Sequence, residues 1–212
     1  MIAIVDYGIG NLGSVLKAFR RHGTEVELTG EPAELRRASA LVLPGDGAFG
    51  AAMDELRSRG LDRLVLEAVG DGKPVLGVCV GMQLLFEESE EHGRHRGLGL
   101  LPGRVRRFEV EPLPVPHMGW NQVTRARPHA VLDGLADGAY VYFVHSYWCD
   151  ARDEDVVAWS DYGARFPAIV ARGSVLGLQF HPEKSQAVGL RMIGNFVRAV
   201  REAPARPVEA RP

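Results

Sequence analysis

Pro74-Val75-Leu76-Gly77-Val78-Cys79-Val80-Gly81-Met82-Gln83 is a short apolar run that ends in a cysteine boxed between two glycines. The run reads as a buried strand over Pro74 to Val78, followed by a helix from about Val80 to Glu88. A reactive group on a tight strand-to-helix turn needs small neighbours, because the turn strains the backbone and crowds the flanking residues. Gly77 and Gly81 meet that need on either side of Cys79. A helix that starts just after Cys79 aims its positive dipole end at the sulfur and favours the thiolate. The backbone N–H of Val80 would face an oxyanion developing there. Free cysteines are among the most buried structural residues, but the glycines and the strand-to-helix context favour a nucleophile at Cys79.

Outward from this elbow the amino-terminal half alternates strand and helix. Strand-like runs at Ile2 to Asp6, Glu25 to Leu28 and Ala40 to Leu43 are separated by helical patterns. Asn11 is placed to cap a helix carrying Leu12, Val15, Leu16 and Phe19 at helical spacing and ending at Gly23. Further helices are predicted over Ala51 to Arg59 and Leu61 to Val69, after the turn Pro44-Gly45-Asp46-Gly47. Such alternation predicts an α/β fold with a mostly parallel sheet covered on both faces. The second half reads as short strands near Arg104 to Phe108, Val115 to Trp120, Tyr140 to Trp148, Val156 to Trp159, Ala168 to Ala171 and Val175 to Phe180. They are expected to extend or flank the parallel sheet with antiparallel strands. A last helix from Ser185 to about Arg201 closes a single expected domain over residues 1–201, and Glu202 to Pro212 reads as a flexible tail.

Composition excludes several function classes. With 212 residues, 46% hydrophobic and 25% charged, the chain fits one well-buried globular domain. A net charge of -2 leaves no footprint for nucleic acid or an anionic membrane. No apolar run is long enough to span a bilayer, and the start lacks a basic region and a cleavage site, which predicts a cytoplasmic protein. The two cysteines, Cys79 and Cys149, make neither a disulfide framework nor a metal-ligand cluster by spacing, so no metal and no cofactor is expected.

A cysteine nucleophile needs a histidine as proton shuttle, itself held by a third group. His22, His92, His95 and His129 lie in polar, turn-like contexts and read as surface. His145, with no carboxylate near it in sequence, reads as pocket wall or satisfied core histidine. His117 lies in an irregular segment better suited to a contact surface. His181 follows the apolar strand directly in His181-Pro182-Glu183. In an extended segment residues i and i+2 share a side, so Glu183 can reach the His181 ring, set its tautomer and stabilise the imidazolium. His181 is therefore the predicted base and Glu183 its orienter.

Together these residues resemble the class I (triad) glutamine amidotransferases, in which a Gly-x-Cys-x-Gly-x-Gln elbow pairs with a His-Pro-Glu near the carboxyl terminus. The match narrows through Asp6-Tyr7-Gly8-Ile9-Gly10-Asn11-Leu12, Pro44-Gly45-x-Gly47-Ala48-Phe49, Gly97-Leu98-Gly99-Leu100, Pro116-His117-Met118-Gly119-Trp120-Asn121, Phe143-Val144-His145-Ser146-Tyr147 and His181-Pro182-Glu183-Lys184-Ser185. That ordered set resembles the glutaminase-subunit family of imidazole glycerol phosphate synthase, from Ile2 to about Val200. The resemblance implies a three-layer sandwich and a γ-glutamyl thioester on Cys79, with His181 and Glu183 completing the triad. It implies an oxyanion hole from Val80 and Gly47. Glutamine would be held by Gly47, Gln83, Glu91, Ser146 and Tyr147. It also implies a heterodimer with a β/α-barrel cyclase subunit, contacted by Asn11, Met118, Trp120, Asn121 and Lys184. One departure stands out. The third residue of the Pro-Gly-x-Gly turn is usually small and apolar in this family, and here it is Asp46.

Three rival readings remain at this level. One is the glutaminase subunit of another synthase, of the pyridoxal phosphate, anthranilate or guanylate type. Another is a stand-alone cysteine hydrolase, which would need neither Gln83 nor a partner surface. The last is a partner-binding subunit with a dead site, which the presence of Cys79, His181 and Glu183 disfavours.

Overall fold

The alternation is present in the computed structural model, which describes residues 1–203. In its first half, β1 (Ile2–Val5), α1 (Leu12–Arg20), β2 (Val26–Thr29), α2 (Pro32–Arg37) and β3 (Ala40–Gly45) lead into α3 (Phe49–Ser58) and α4 (Leu61–Gly70). The elbow follows as β4 (Val75–Cys79) and α5 (Val80–Leu84). The second half runs through β5 (Phe86–Ser89), β6 (His95–Arg96), β7 (Leu101–Arg107), β8 (His117–Arg125), β9 (Ala139–His145) and β10 (Tyr147–Ala151). It ends with β11 (Val156–Asp161), β12 (Arg165–Arg172), β13 (Val175–Leu178) and α6 (Gln186–Glu202). Of the expected tail, Glu202 is the last residue of α6, and residues 204–212 lie outside the described residues.

One sheet has the order β2-β1-β3-β4-β13-β12-β11-β8-β9. Its first five strands are parallel, and from β12 onward the pairing is antiparallel. Every residue of β1, β3, β4 and β13 is buried, as a parallel sheet covered on both faces requires. Each fully buried Val, Leu or Ile there contributes about 1.5–3 kcal/mol by leaving water. Helices α1 and α6 pack together through Phe19 and Phe196, edge to face at 6.2 Å. Helices α2, α3 and α4 pack on one another, and right-handed crossovers put the two groups on opposite faces. A second, four-stranded sheet has the order β10-β7-β5-β6.

Three local expectations are corrected. The helix after Cys79 does not reach Glu88. It stops at Leu84, and Phe86 begins β5, where Phe86 and Ser89 are buried while Glu87 is exposed. The carboxylates of Glu87 and Glu90 accept the N–H groups of Gly103 and Arg107 on β7. Tertiary pairing thus overrides a segment with good helix formers. The run Tyr140 to Trp148 is two strands in different sheets, broken at Ser146, whose carbonyl accepts the N–H of Phe108. Asn11 makes no side-chain cap on α1; its backbone N–H donates to Asp46 Oδ2 at 2.9 Å instead. Helix α2, which the pattern did not predict, has Pro32 in its first turn and only Leu35 buried.

Candidate active site

Cys79 ends β4 in a conformation that few side-chain-bearing residues adopt, with φ 55° and ψ -113°. Such backbone costs about 1–3 kcal/mol and persists only where its surroundings over-determine it. Here the surroundings are tight. Strand β4 is held in register on both sides, with Gly45 opposite Cys79 on β3 and Leu178 opposite Val78 on β13. A Cβ on Gly81 would overlap the Leu43 carbonyl oxygen, so only glycine lets α5 approach β3 this closely. A Cβ on Gly77 would lie 2.6 Å from the Gly81 carbonyl oxygen. Because α5 is a single short turn, its first N–H groups, Val80 among them, have no intrahelical partner.

His181 leaves the end of β13 beside this elbow. Its backbone N–H donates to the Tyr142 carbonyl at 3.0 Å, and Ser185 Oγ donates to the His181 carbonyl at 2.7 Å. The next residues, Pro182–Lys184, form a 3-10 turn. Glu183 therefore reaches the ring through that turn and not through the extended i, i+2 alternation expected from sequence. Its Oε1 lies 2.9 Å from His181 Nδ1, and both side chains are almost fully buried. Burial opposes a charge on His181, but the Cys79 sulfur and the Glu183 carboxylate outweigh it and push the imidazole up to about 10. The ring is thus an imidazolium at neutral pH, with Nδ1 turned to Glu183 and Nε2 left for Cys79.

Gly47, Cys79, Val80, Gln83, Glu91, Ser146 and Tyr147 line one open cleft of about 280 Å³, together with Asp46, Pro116, Val144 and His145. Gln83 is held by bonds from its Nε2 to the Tyr147 carbonyl at 3.1 Å and to Gln179 Oε1 at 3.3 Å. Glu91 Oε2 accepts the N–H of Phe49 at 2.6 Å, in the first turn of α3. Gly47 has a φ of 80°, a conformation suited to glycine. Asp46, singled out from sequence only as a departure, has Oδ1 3.7 Å from His181 Nε2.

The residues expected at a partner surface do not line this cleft. Met118 and Trp120 project from one face of β8, and Tyr140 from the paired strand β9; they are 61%, 46% and 55% exposed. Asn11 and Lys184 are exposed as well. Strand alternation turns Asn121 to the other face, where its Nδ2 meets His117 Nε2 at 3.2 Å and the Asp161 carbonyl at 2.7 Å.

His117 is buried in a regular strand, contrary to the irregular contact segment expected. Its Nδ1 lies 2.9 Å from His145 Nε2, and His145 Nδ1 lies 2.8 Å from the Tyr147 carbonyl. Only one set of donors satisfies this chain: Asn121 donates to His117, His117 to His145, and His145 to Tyr147. Both rings are then neutral. Desolvation drives His145 down to about 3 and His117 to about 4, in keeping with that assignment. His145 is a satisfied core histidine that also walls the cleft.

The model of the glutamine amidotransferase class-I family matches residues 3–200. The chain belongs to the class I glutamine amidotransferases. Within that family it belongs with the subunits described as imidazole glycerol phosphate synthase subunit HisH. It is 52% identical to the Salinibacter ruber subunit, covering 92% of this chain and 93% of that one. It is 53% identical to the Geobacillus kaustophilus subunit, covering 93% and 96%. Among solved structures, a glutamine amidotransferase superposes with a TM-score of 0.74 at 22% identity, covering 94% of this chain and 98% of that one. PurLQS from Thermotoga maritima does so with a TM-score of 0.72 at 19% identity, covering 94% and 96%. These structures share the amidotransferase fold. Among the described residues no helix is long and apolar enough to cross a membrane.

Proposed function

We propose that this HisH-family chain hydrolyses L-glutamine to glutamate and ammonia, with Cys79 as nucleophile, His181 as proton shuttle and Glu183 as its orienter. The observation that carries the reading is the His181 ring. One nitrogen is bound to a buried carboxylate, and the other faces a cysteine held in a strained elbow at the floor of a cleft. Sulfur attack on the carboxamide carbon would put charge on its oxygen, where the N–H groups of Val80 and Gly47 are proposed to receive it. Collapse would form the γ-glutamyl thioester and release ammonia with a proton from His181 Nε2. The same nitrogen would then deprotonate the water that frees glutamate. Gly47 and Gln83 would line the glutamine site, Ser146 and Tyr147 would hold its α-carboxylate side, and Glu91 its ammonium.

The ammonia would pass to a cyclase subunit that makes imidazole glycerol phosphate and aminoimidazole-carboxamide ribotide in histidine biosynthesis, in the cytoplasm. The exposed apolar face of Met118, Trp120 and Tyr140 supports a docked partner, because it adjoins the cleft through Val144 on the same hairpin. Asn11 and Lys184 are proposed to complete that surface, and Asn121 to brace it from behind.

The test is glutamate release by the purified chain, alone and with a cyclase subunit plus its nucleotide substrate. A large rise in the complex supports the reading. Strong activity alone, unchanged by that partner, would replace it with a stand-alone hydrolase.

A further inference from the structure

Sequence keeps Asp46, Cys79 and His181 far apart, yet a carboxylate oxygen, the sulfur and a ring nitrogen from these three lie within 4.8 Å of one another. Cys79 and the His181 ring are buried, while Asp46 stands 40% exposed at the cleft. His181 Nε2 is buried and makes no hydrogen bond, so once its proton leaves, one strong ligand atom faces the cluster. Asp46 is held for the purpose at its other oxygen, where Oδ2 accepts the Asn11 N–H at 2.9 Å and Oδ1 is left toward the ring.

Thiolate, imidazole and carboxylate are zinc's own ligand types, and three protein donors with one open position make a complete site. Bonds of about 2.0–2.3 Å in a tetrahedron put ligand atoms about 3.3–3.6 Å apart. The separation of 3.7 Å between Asp46 Oδ1 and His181 Nε2 is already close to that, and the sulfur lies within 4.8 Å of both. The outer layer is present too. Zinc-bound histidines usually give their second nitrogen to a carboxylate, which sets the tautomer and the ring plane, and Glu183 occupies that position at 2.9 Å.

We infer that Asp46, Cys79 and His181 form a site for one zinc ion, with Glu183 as the outer carboxylate and a water in the open position. Zinc here is an inhibitor and not a cofactor, since it takes both the sulfur lone pair and the proton-carrying nitrogen. The balance is simple. Forming the Zn–S and Zn–N bonds displaces the protons that Sγ and Nε2 carry and releases them to solvent. The site stands on these side chains alone, and only its inhibitory effect rests on the proposed glutaminase reading.

The experiment is calorimetric titration of the full chain with zinc chloride in two buffers of different ionisation heat, with cobalt(II) as a spectroscopic probe. One zinc per chain, proton release on binding, and a thiolate-to-cobalt charge-transfer band are expected. Asp46→Asn keeps an acceptor for Asn11 but weakens the ligand, and Asp46→Val removes it; each is expected to lower zinc affinity at least about tenfold. Circular dichroism checks that both are folded. Cys79→Ala and His181→Ala are expected to lose the band. No binding at millimolar zinc, unchanged affinity in both Asp46 variants, or full affinity in Cys79→Ala would each overturn the site.

Discussion

His181 Nδ1 lies 2.9 Å from Glu183 Oε1, in a pair whose side chains are 3% and 1% exposed. A buried imidazolium held this way keeps Nε2 toward Cys79. Glu183→Gln keeps the shape but removes the charge and permits the wrong tautomer. We expect kcat for glutamate release in the cyclase complex to fall about 10²–10⁴-fold, with KM for glutamine changed much less. Equal losses in kcat and in glutamine binding would argue that Glu183 only supports the fold.

The same pair sets a pH dependence of stability. The folded His181 is raised to about 10 from an ordinary 6.5, so its contribution is complete below about pH 6.5 and is lost as pH rises through about 10. Urea midpoints should fall between pH 7 and pH 10. His181→Gln should flatten that fall, and a slope as steep as the parent's would contradict the assignment.

His117 and His145 act in the opposite sense. Their folded values near 4 and 3 lie below the ordinary 6.5, so the unfolded chain takes up more protons in acid. Their stabilisation is present above about pH 6.5 and is lost as pH falls toward 4 and 3. Stability should begin to drop below pH 6.5, above the range where carboxylates titrate. NMR of the ring nitrogens at pH 6 should show two neutral histidines.

Gly81→Ala tests the elbow. Its Cβ would meet the Leu43 carbonyl oxygen, backbone that cannot swing aside. A loss of about 1–3 kcal/mol or more in urea unfolding is expected. Gly13→Ala, at an exposed position of helix α1 with nothing near a new Cβ, serves as control and should be neutral or slightly stabilising.

Trp120→Ala tests the outward face of β8. Trp120 is 46% exposed, so the thermal midpoint of the isolated chain should hardly move. Affinity for the cyclase subunit should fall at least about thirtyfold, as for a central aromatic anchor. Unchanged affinity would move the interface elsewhere on the chain.

Much of this was legible in the sequence because the signals are local. Alternating apolar runs and helical spacing specify buried parallel strands with their covering helices. A cysteine between glycines, and a glutamate two residues after a histidine, carry their chemistry within a few residues. The expected helix beyond Leu84 and the single strand over Tyr140 to Trp148 failed for a common reason: both segments switch partners in space. Residues 86–89 are strand because β7 and β6 offer hydrogen bonds, and Ser146 divides its run because Phe108 takes its carbonyl. Glu91 and Asp46 likewise carried no sign of their surroundings.

By itself the sequence determined the layer architecture, the elbow at Cys79 and the His181–Glu183 pair, since alternating apolar runs, a cysteine between glycines and a glutamate two residues after a histidine are all local signals. Only the tertiary structure decided what stands opposite them. It brought Asp46 to within 3.7 Å of His181, turned Asn121 behind β8, and joined His117 to His145 in a neutral, fully bonded pair. The Asp46–His181 and His117–His145 contacts join residues distant along the chain, and they exist only because the packing of strands and turns brings these side chains together.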